Sequence, residues 1–446
     1  MSVTPGLLAD TICLEGGHPI RGEVGVRGAK NSISKQLVAS LLSDRPSILH
    51  NTPAIADTFI VSEMLRSMGV SVQAGEDGAG TVQVHPEVVR PMSLDDSRRF
   101  SGISRIPILL CGPLLHRTGE AIIPSLGGDD IGKRQVNWHL MALQQLGADI
   151  DEQADGLHLT ADRLVGCELR LPFPSVGATE QVLLSATLAE GTTVLHGAAV
   201  EPEILDLIAV LQKMGAAILF GDDRTLIIHG RRTLNGYQHV AIPDRLEVAS
   251  WACAAIATHG EVFVRQARVE DMVSFLGAYR LLGGSFTAGP QGIRFCRDAD
   301  ELHPIEVDTA VHPGFMTDWQ APVGVTLTQA NGTSIIHETV YENRFTYTKA
   351  LVEMGADITV TSGCPRNRAC RFGGLGHKHL AQFNGVTQLK GTDVEVPDLR
   401  AGFSHVIAAL LADGRTTIRG ASMIGRGYEG FLDKLVRLGA RVISAE

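Results

Sequence analysis

The sequence predicts an α/β protein of two domains, each built from three copies of one helix–strand unit. The first observation is a segment in which an amphipathic helix ends at a glycine and a short apolar strand follows. The second is the length of 446 residues, which exceeds one ordinary domain. The segment occurs six times, with its glycine at Gly69, Gly147, Gly215, Gly283, Gly355 and Gly439.

Several copies also share an upstream half. It is a helix rich in alanine and leucine, then a polar or glycine turn, then a β-branched strand, as in "LLSATLAEGTTVLHG" and "VIAALLADGRTTIRG". The complete unit is therefore helix–turn–strand, linker, helix–glycine–strand. Six such units divide most simply into two domains of three.

Composition limits the classes of function. The chain is 44% hydrophobic, enough for a sizeable core, and its 5% aromatic content disfavours base-stacking surfaces. A net charge of −10 creates no general attraction for nucleic acid or an anionic membrane. Seven cysteines, an odd number, indicate reduced thiols. With neither a signal peptide nor a long apolar run, we expect a cytoplasmic protein.

Cations recur beside small residues between the repeats. Small neighbours let a ligand approach the backbone, and lysine or arginine can bind phosphate or carboxylate. Taken singly, each is better explained as a solvated surface cation, but the repetition at equivalent points favours anion sites. The residues are Arg27, Lys30 and Asn31 in "RGAKNS", Lys133 and Arg134 in "IGKRQ", Arg400 in "VPDLRAG" and Arg426 in "IGRGYEG".

The segment Gly127–Lys133 also fits the start of a phosphate-binding P-loop, G-x-x-x-x-G-K. A working P-loop needs serine or threonine after the lysine to hold Mg²⁺, and here that residue is Arg134. Asp129 and Asp130 would place two negative charges against the phosphates. The segment therefore does not predict a nucleotide triphosphatase.

A set of motifs in fixed order resembles the UDP-N-acetylglucosamine branch of the enolpyruvyl transferase family. They are "RGAKNS", "GGDDIGKR", "PFPSVGATE", "AEGTTVLHGAAVEPEILD", "IPDR", "MTDWQAP", "ETVYENRF", "DLRAG" and "GRGYE". The resemblance implies an inside-out α/β barrel: two domains, each of three βαβαββ repeats. It implies that residues 22–242 form the first domain and residues 1–21 and 243–446 the second. The active site would lie in the cleft between the domains.

The resemblance also implies the reaction. Family members transfer the enolpyruvyl group of phosphoenolpyruvate to the 3-hydroxyl of UDP-N-acetylglucosamine and release phosphate, which begins peptidoglycan precursor synthesis. The reaction needs an acid, a base and cations, but no metal or redox cofactor. Two alternatives stay open: the same chemistry on another hydroxyl acceptor, such as a uridine nucleotide in secondary metabolism, and a degenerate paralogue without catalysis. The motifs fit a shikimate-pathway synthase less well.

The matching positions imply the site residues. Lys30 and Asn31 would contact phosphoenolpyruvate, with Arg134, Arg400 and Arg426 as further anion partners. Asp318 would be the base for the sugar hydroxyl, with Arg344 near the site. The nucleotide-sugar contacts would be Arg105, Arg134, Gln135, Val136, Asn137, Trp138, Ser175, Val176, Gly177 and Val340.

The expected acid departs from the family pattern, because Asp129 replaces the usual loop cysteine. Some family members carry aspartate there, and that variation is associated with insensitivity to fosfomycin. A free aspartate has a pKa about 4.6 units below that of cysteine, roughly 6 kcal/mol of proton affinity. A proton-donating Asp129 therefore needs burial or a bound phosphate dianion. Asp130 is the alternative acid.

Three further departures concern recognition and architecture. Gln135, Asn137 and Trp138 replace the usual uracil-side residues, and Gly425 stands where an aspartate commonly precedes Arg426. Residues 361–385 resemble an insertion whose Cys364, Cys370, His377 and His379 could be considered a zinc set. Their C-x5-C and H-x-H spacing is poor for structural zinc, so a basic surface loop without metal is expected.

Overall fold

The fold was analysed in a computed structural model that describes residues 9–75, 78, 80–128, 136–365 and 370–445. These residues form a mixed α/β structure with 23 strands and 13 α-helices. The strands are β1 (Thr11–Glu15), β2 (Arg21–Gly25), β3 (Ser47–His50), β4 (Ser71–Ala74), β5 (Val82–His85), β6 (Glu120–Pro124), β7 (Asp149–Gln153), β8 (Gly156–Thr160), β9 (Glu168–Arg170), β10 (Thr192–His196), β11 (Ala217–Phe220), β12 (Leu226–His229), β13 (Gln238–Val240), β14 (Glu261–Arg265), β15 (Gly284–Gly289), β16 (Gly292–Arg297), β17 (Glu306–Asp308), β18 (Gly332–His337), β19 (Asp357–Thr361), β20 (Leu380–Gly385), β21 (Asp393–Glu395), β22 (Arg415–Arg419) and β23 (Arg441–Ala445).

The α-helices alternate with the strands. They are α1 (Lys30–Ala39), α2 (Ala56–Ser67), α3 (Leu94–Phe100), α4 (Cys111–Thr118), α5 (Asn137–Gln145), α6 (Val176–Ala186), α7 (Pro202–Lys213), α8 (Arg245–Ala257), α9 (Val273–Leu281), α10 (Gln320–Leu327), α11 (Thr348–Glu353), α12 (Leu399–Leu411) and α13 (Phe431–Arg437). Among the described residues, no helix is both long enough and apolar enough to cross a membrane.

Six sheets repeat one strand order. In the sheet β9-β10-β12-β11, the first pair is parallel and the other two pairs are antiparallel. The orders β17-β18-β20-β19, β2-β14-β16-β15, β13-β3-β5-β4 and β21-β22-β1-β23 are equivalent, and β6-β8-β7 supplies the last three positions of the same order. The copy from β9 to β12 follows the chain as β-α-β-α-β-β.

The six glycines named from the sequence all adopt positive φ angles, as predicted for residues that follow a helix C-terminus. Side chains with a Cβ rarely take this conformation, so glycine is the favoured residue. The angles are 90° at Gly69, 104° at Gly147, 101° at Gly215, 106° at Gly283, 102° at Gly355 and 86° at Gly439. The repeat inferred from the sequence is therefore a structural repeat.

The chain forms two compact units. The first contains the described residues from Arg27 to Ile242, and the second contains those up to Val26 and from Pro243 onward. Strand β2 belongs to the second unit, where it pairs in parallel with β14, and the chain enters the first unit after Val26. Strand β1 also belongs to the second unit, where it pairs with β22 and β23.

Three buried helices form the centre of the second unit. Helices α8, α10 and α12 contact one another in pairs, and each also packs on its own sheet. All residues of α8 and α10 are buried. The ring of Trp251 in α8 packs edge-on against Phe403 in α12 with centroids 4.9 Å apart. A helix that is apolar on all sides must be enclosed, and the sheets of this unit enclose these three.

Candidate active site

The N-termini of the three central helices meet at one end of the second unit. Asp244 is the N-cap of α8, and Asp398 is the N-cap of α12. Asp318 lies in the 3-10 helix Thr317–Trp319, which leads directly into α10. Helix N-termini carry partial positive charge and unpaired N–H groups, so this end of the unit favours anions.

Arg344 links two of these helix ends. One of its terminal nitrogens is hydrogen-bonded to Oδ1 of Asp318, and the other lies 3.9 Å from Oδ1 of Asp398. Burial alone would lower the pKa of Arg344, but Asp318, Asp398 and Glu338 together raise it. Arg344 therefore stays charged inside the unit and fixes the orientation of the Asp318 carboxylate.

Arg400 joins the third helix end to the same group. This side chain in the first turn of α12 is only 5% exposed, and its Nη2 lies 3.6 Å from Oδ2 of Asp244. Burial alone would lower the pKa of Arg400, but Asp244, Tyr428 and Asp318 together raise it. Neither terminal nitrogen has a hydrogen-bond partner among the described residues. Buried, charged N–H groups without a hydrogen-bond partner form a binding position for an anion.

Asp244 and Asp398 have a second role as helix caps. Oδ1 of Asp398 accepts hydrogen bonds from the backbone N–H groups of Arg400 and Ala401, at 2.9 and 3.0 Å. Oδ1 of Asp244 accepts equivalent bonds from the first turn of α8, at 2.8 and 3.3 Å. Each carboxylate thus starts a helix and pairs with an arginine, which fixes the arginine relative to the helix.

Glu338 connects Asp318 to the loop that contains Val340. Its Oε1 accepts from the backbone N–H groups of Val340 and Tyr341, at 2.6 and 2.9 Å. Its Oε2 accepts from the Thr317 hydroxyl at 2.8 Å and from the Gln320 amide. Burial raises the pKa of Glu338, and these donors act in the opposite direction. The carboxylate holds the Val340 loop against the helix end that carries Asp318.

In the first unit, Lys30 and Asn31 open helix α1. Nζ of Lys30 lies 2.8 Å from Oδ2 of Asp57, at the start of α2. The next residue, Ser32, donates a hydrogen bond to Oδ2 of Asp206 at 2.6 Å, which anchors this turn to α7. Lys30 is therefore held at a helix N-terminus by an acidic partner that the sequence did not identify.

A second group in the first unit lies between α5 and the N-terminus of α6. Trp138 stacks on Phe173 with ring centroids 6.3 Å apart. Ser175 caps α6 by accepting from the N–H of Ala178 at 3.3 Å, and Val176 is the first residue of that helix. Val136 and Asn137 begin α5, with Asn137 exposed. These predicted nucleotide-side residues thus lie on two helices in contact.

His139 is the buried centre of this group. A Cβ at Gly177 would lie 2.8 Å from Nε2 of His139, so glycine is needed for the imidazole to approach the helix end. Burial lowers the pKa of His139 to about 4; Gln181 opposes the shift, and the charge of Arg105 contributes to it. Arg105, which precedes the 3-10 helix Ile106–Leu110, therefore acts on the same group.

The remaining predicted site residues are less closely defined. Arg426 is the last residue of the 3-10 helix Ala421–Arg426 and is half-buried, directly after the buried Gly425. Asp129, Asp130, Lys133, Arg134 and Gln135 lie outside the described residues. The structure brings Asp318, Val340, Arg344 and Arg400 together, and it places Trp138 and Ser175 near His139, on which the charge of Arg105 acts.

Several residues of these groups were not identified from the sequence. Glu338 begins the quoted "ETVYENRF" motif, and Asp244 and Asp398 precede the motif arginines in "PDR" and "PDLR", so a signal for these three existed. Asp57 and His139 lie in segments without such a signal.

Comparison with known proteins identifies the class. Residues 14–435 match the family described as EPSP synthase (3-phosphoshikimate 1-carboxyvinyltransferase). The chain belongs to this family of carboxyvinyl transferases and is therefore an enzyme of the transferase class.

Two relatives within the family are similar in sequence over nearly the whole chain. The UDP-N-acetylglucosamine 1-carboxyvinyltransferase of Protochlamydia amoebophila (strain UWE25) is 45% identical over 98% of this chain and 95% of its own. The equally named protein of Caulobacter sp. (strain K31) is 39% identical over 97% of this chain and 96% of its own. The resemblance recognised from the motifs is confirmed.

A solved structure agrees with the fold. The enolpyruvyl transferase NikO from Streptomyces tendae superimposes with a TM-score of 0.84 at 25% identity, over 97% of this chain and 98% of that one. This similarity confirms the predicted α/β fold class.

The first prediction concerns Glu338. Glu338→Ala leaves two partly buried backbone N–H groups and two buried side-chain donors without an acceptor, so we expect a loss of about 3 kcal/mol in the free energy of unfolding. Glu338→Gln should cost less, because the Gln320 amide can rotate and present its oxygen, which has no partner among the described residues. Urea unfolding measures both. The exposed Glu353→Ala is the control, and equal losses for the alanine and glutamine variants would refute the assignment.

The second prediction concerns acid stability. The pKa of His139 is about 4 when folded and about 6.5 when unfolded, so the unfolded state binds more protons between these values. Its contribution to stability is present above pH 6.5 and is lost as the pH falls, by about 2 kcal/mol between pH 6.5 and 4.5. His139→Gln should remove this part of the pH dependence of urea unfolding. The exposed His229→Gln should not, and parallel curves for His139→Gln and wild type would contradict the prediction.

Proposed function

We propose that this enzyme transfers the enolpyruvyl group of phosphoenolpyruvate to the 3-hydroxyl of UDP-N-acetylglucosamine and releases phosphate. The observation that carries the proposal is the meeting of three helix N-termini with Arg344, Arg400 and Asp318 in the second unit. This group combines a buried anion position with an oriented carboxylate. The relatives named UDP-N-acetylglucosamine 1-carboxyvinyltransferase support the choice of acceptor.

The reaction proceeds by addition and elimination. Asp318 removes the proton of the sugar 3-hydroxyl while the hydroxyl oxygen bonds to C2 of phosphoenolpyruvate. An acid protonates the C3 methylene. Loss of a C3 proton and of phosphate from the resulting ketal restores the double bond. Since side chains supply every proton transfer, the chemistry needs no metal or redox cofactor.

Cations stabilise the anionic donor substrate. Arg400 binds phosphoenolpyruvate through its terminal N–H groups, which have no hydrogen-bond partner among the described residues. Lys30 and Asn31 bind the same substrate from the N-terminus of α1, where the phosphate competes with Asp57 for the Lys30 ammonium. Arg134 and Arg426 complete the set of anion partners.

The acceptor contacts are the residues that the family resemblance implies. Trp138, Ser175 and Gly177, with Arg105, Gln135, Val136, Asn137 and Val176, bind the uridine side of the nucleotide sugar. The Asn137 amide oxygen can accept a hydrogen bond from uracil N3–H. Val340 contacts the acceptor from the loop that Glu338 holds. The cleft between the domains, the domain boundaries and the cytoplasmic location remain predictions from the sequence.

The architecture is an inside-out α/β barrel, with three βαβαββ repeats in each domain. The shared order of the six sheets supports this arrangement, as does the enclosure of α8, α10 and α12 within the sheets of the second unit.

Phosphate release from phosphoenolpyruvate tests the function, with UDP-N-acetylglucosamine, UMP and shikimate 3-phosphate as parallel acceptors. We expect release with the nucleotide sugar alone. Release with UMP alone would assign the enzyme to another uridine acceptor, which the changes at Asn137 and Trp138 favour as the second candidate. Asp318→Asn should lower kcat by about 10²-fold or more, as expected for loss of a general base, while exposed Asp393→Asn should not. Inactivity of folded wild-type protein with all three acceptors would favour a degenerate paralogue.

The acid is assigned to Asp129, which takes the place of the family's cysteine. We expect Asp129→Ala to abolish turnover, and Asp130→Ala to retain most of it, because only Asp129 matches the cysteine position. Because the acid must be protonated, wild-type kcat should decline above neutral pH. Wild-type turnover by Asp129→Ala would exclude an essential acid role, and loss of turnover only in Asp130→Ala would move the role to Asp130.

A further inference from the structure

Four side chains of the second unit, outside the proposed active site, bring nitrogen and sulfur atoms together. They are His337 at the end of β18, His379 just before β20, and Cys364 and Cys370 in the segment between β19 and β20. One ligand atom from each lies within 4.8 Å of all the others. Two sulfur and two nitrogen donors are a ligand set typical of structural zinc.

Strand pairing explains why the sequence pointed to a different set. His337 pairs with Leu380 across β18 and β20, so it lies beside His379 although 42 positions separate the two histidines in the sequence. The other candidate, His377, contributes its backbone oxygen, which accepts from Nδ1 of His379 at 2.6 Å. The poor H-x-H spacing is therefore irrelevant, because the second histidine ligand comes from another strand.

Hydrogen bonds fix both imidazoles in the form that binds metal. A carbonyl only accepts, so Nδ1 of His379 carries the proton and Nε2 has the lone pair. Nδ1 of His337 lies 3.0 Å from Oδ1 of Asp308, which likewise directs the lone pair to Nε2. Carboxylate and carbonyl partners of this kind orient the histidine ligands in zinc sites.

The two Nε2 atoms, which carry the lone pairs, are the nitrogen donors of the cluster. Nε2 of His379 lies 3.3 Å from Sγ of Cys364. Nε2 of His337 is buried and has no hydrogen-bond partner among the described residues. With bonds of about 2.3 Å to sulfur and about 2.0–2.1 Å to nitrogen, the edges of a zinc tetrahedron are roughly 3.3–3.8 Å. The Cys364–His379 distance already fits, and the longest separation needs a contraction of about 1 Å.

We propose that His337, Cys364, Cys370 and His379 bind one Zn²⁺ in a closed tetrahedral site. Four protein ligands leave no open position, so the metal is structural rather than catalytic. The absence of carboxylate ligands disfavours Mg²⁺ and Ca²⁺. The metal joins the segment between β19 and β20 to the end of β18. Since Glu338 follows His337 directly, this junction adjoins the start of the Val340 loop. The insertion predicted over residues 361–385 is too long, because its last six residues form β20 of the repeated sheet.

The test is the zinc content of the full-length, tag-free protein, purified under reducing conditions and measured by elemental mass spectrometry. We expect about one zinc per chain, as for a closed four-ligand site. Cys364→Ser and Cys370→Ser should lose most of it. Two matched controls should keep it: His377→Ala, which retains the backbone carbonyl, and Cys296→Ser, which changes a partly buried thiol elsewhere in the same unit.

A second measurement uses the wild-type protein and so does not depend on how the variants fold. After metal removal, titration with Co²⁺ should give the visible absorption of a tetrahedral ion and a thiolate-to-cobalt charge-transfer band. Zinc should then displace the cobalt and raise the Tm. Failure of the reduced wild-type protein to take up either metal would overturn the proposal. Full zinc content in both Cys364→Ser and Cys370→Ser would do the same.

Discussion

Charge burial at the ends of three enclosed helices is the constraint on which the second unit depends. Arg344 and Arg400 are nearly inaccessible to water, and removing one partner of a buried ion pair typically costs about 3–5 kcal/mol. Each arginine therefore pairs with a carboxylate that also begins a helix, Arg344 with Asp398 and Arg400 with Asp244. The same arrangement stabilises the helix N-termini and orients Asp318. The fold thereby supplies an oriented carboxylate and an anion position at one point.

Glu338 extends this constraint to the neighbouring loop. Its two oxygens join the start of α10 to the backbone at Val340, so a displacement of the loop would expose or break four hydrogen bonds. The residue before it, His337, belongs to the proposed zinc site. The Val340 loop, the start of α10 and the segment between β19 and β20 are then fixed through two adjacent residues at the end of β18, His337 and Glu338. Such support is how an active site keeps its groups in position before substrate arrives.

The repeat could be predicted from the sequence because it depends on local rules. Gly69 and Gly355, like the other four glycines, mark helix ends whose backbone conformation favours glycine. This signal can be read from the sequence alone. The active-site candidates were found because small residues and cations recur at strand–helix junctions, and because their motifs match a family. The structure adds the partners: Asp398 for Arg344 and Asp57 for Lys30.

Long-range contacts could not be predicted in this way. Asp57 and His139 carry no signal that separates them from other helix residues. His337 reaches Cys364 only through the pairing of β18 with β20, so a search by spacing chose His377 instead. The pairing of β2 with β14 is another contact of this kind, because more than 200 positions separate the two strands in the sequence.

The most direct test of the account is the position of the acceptor hydroxyl relative to Asp318, measured in a crystal structure of the full-length protein with bound UDP-N-acetylglucosamine. The account predicts that the sugar 3-hydroxyl lies at hydrogen-bond distance from the Asp318 carboxylate, about 2.6–3.2 Å, while Arg344 still pairs with that carboxylate. A hydroxyl that faces another side chain, with Asp318 separated from the sugar, would contradict the central role given to this residue.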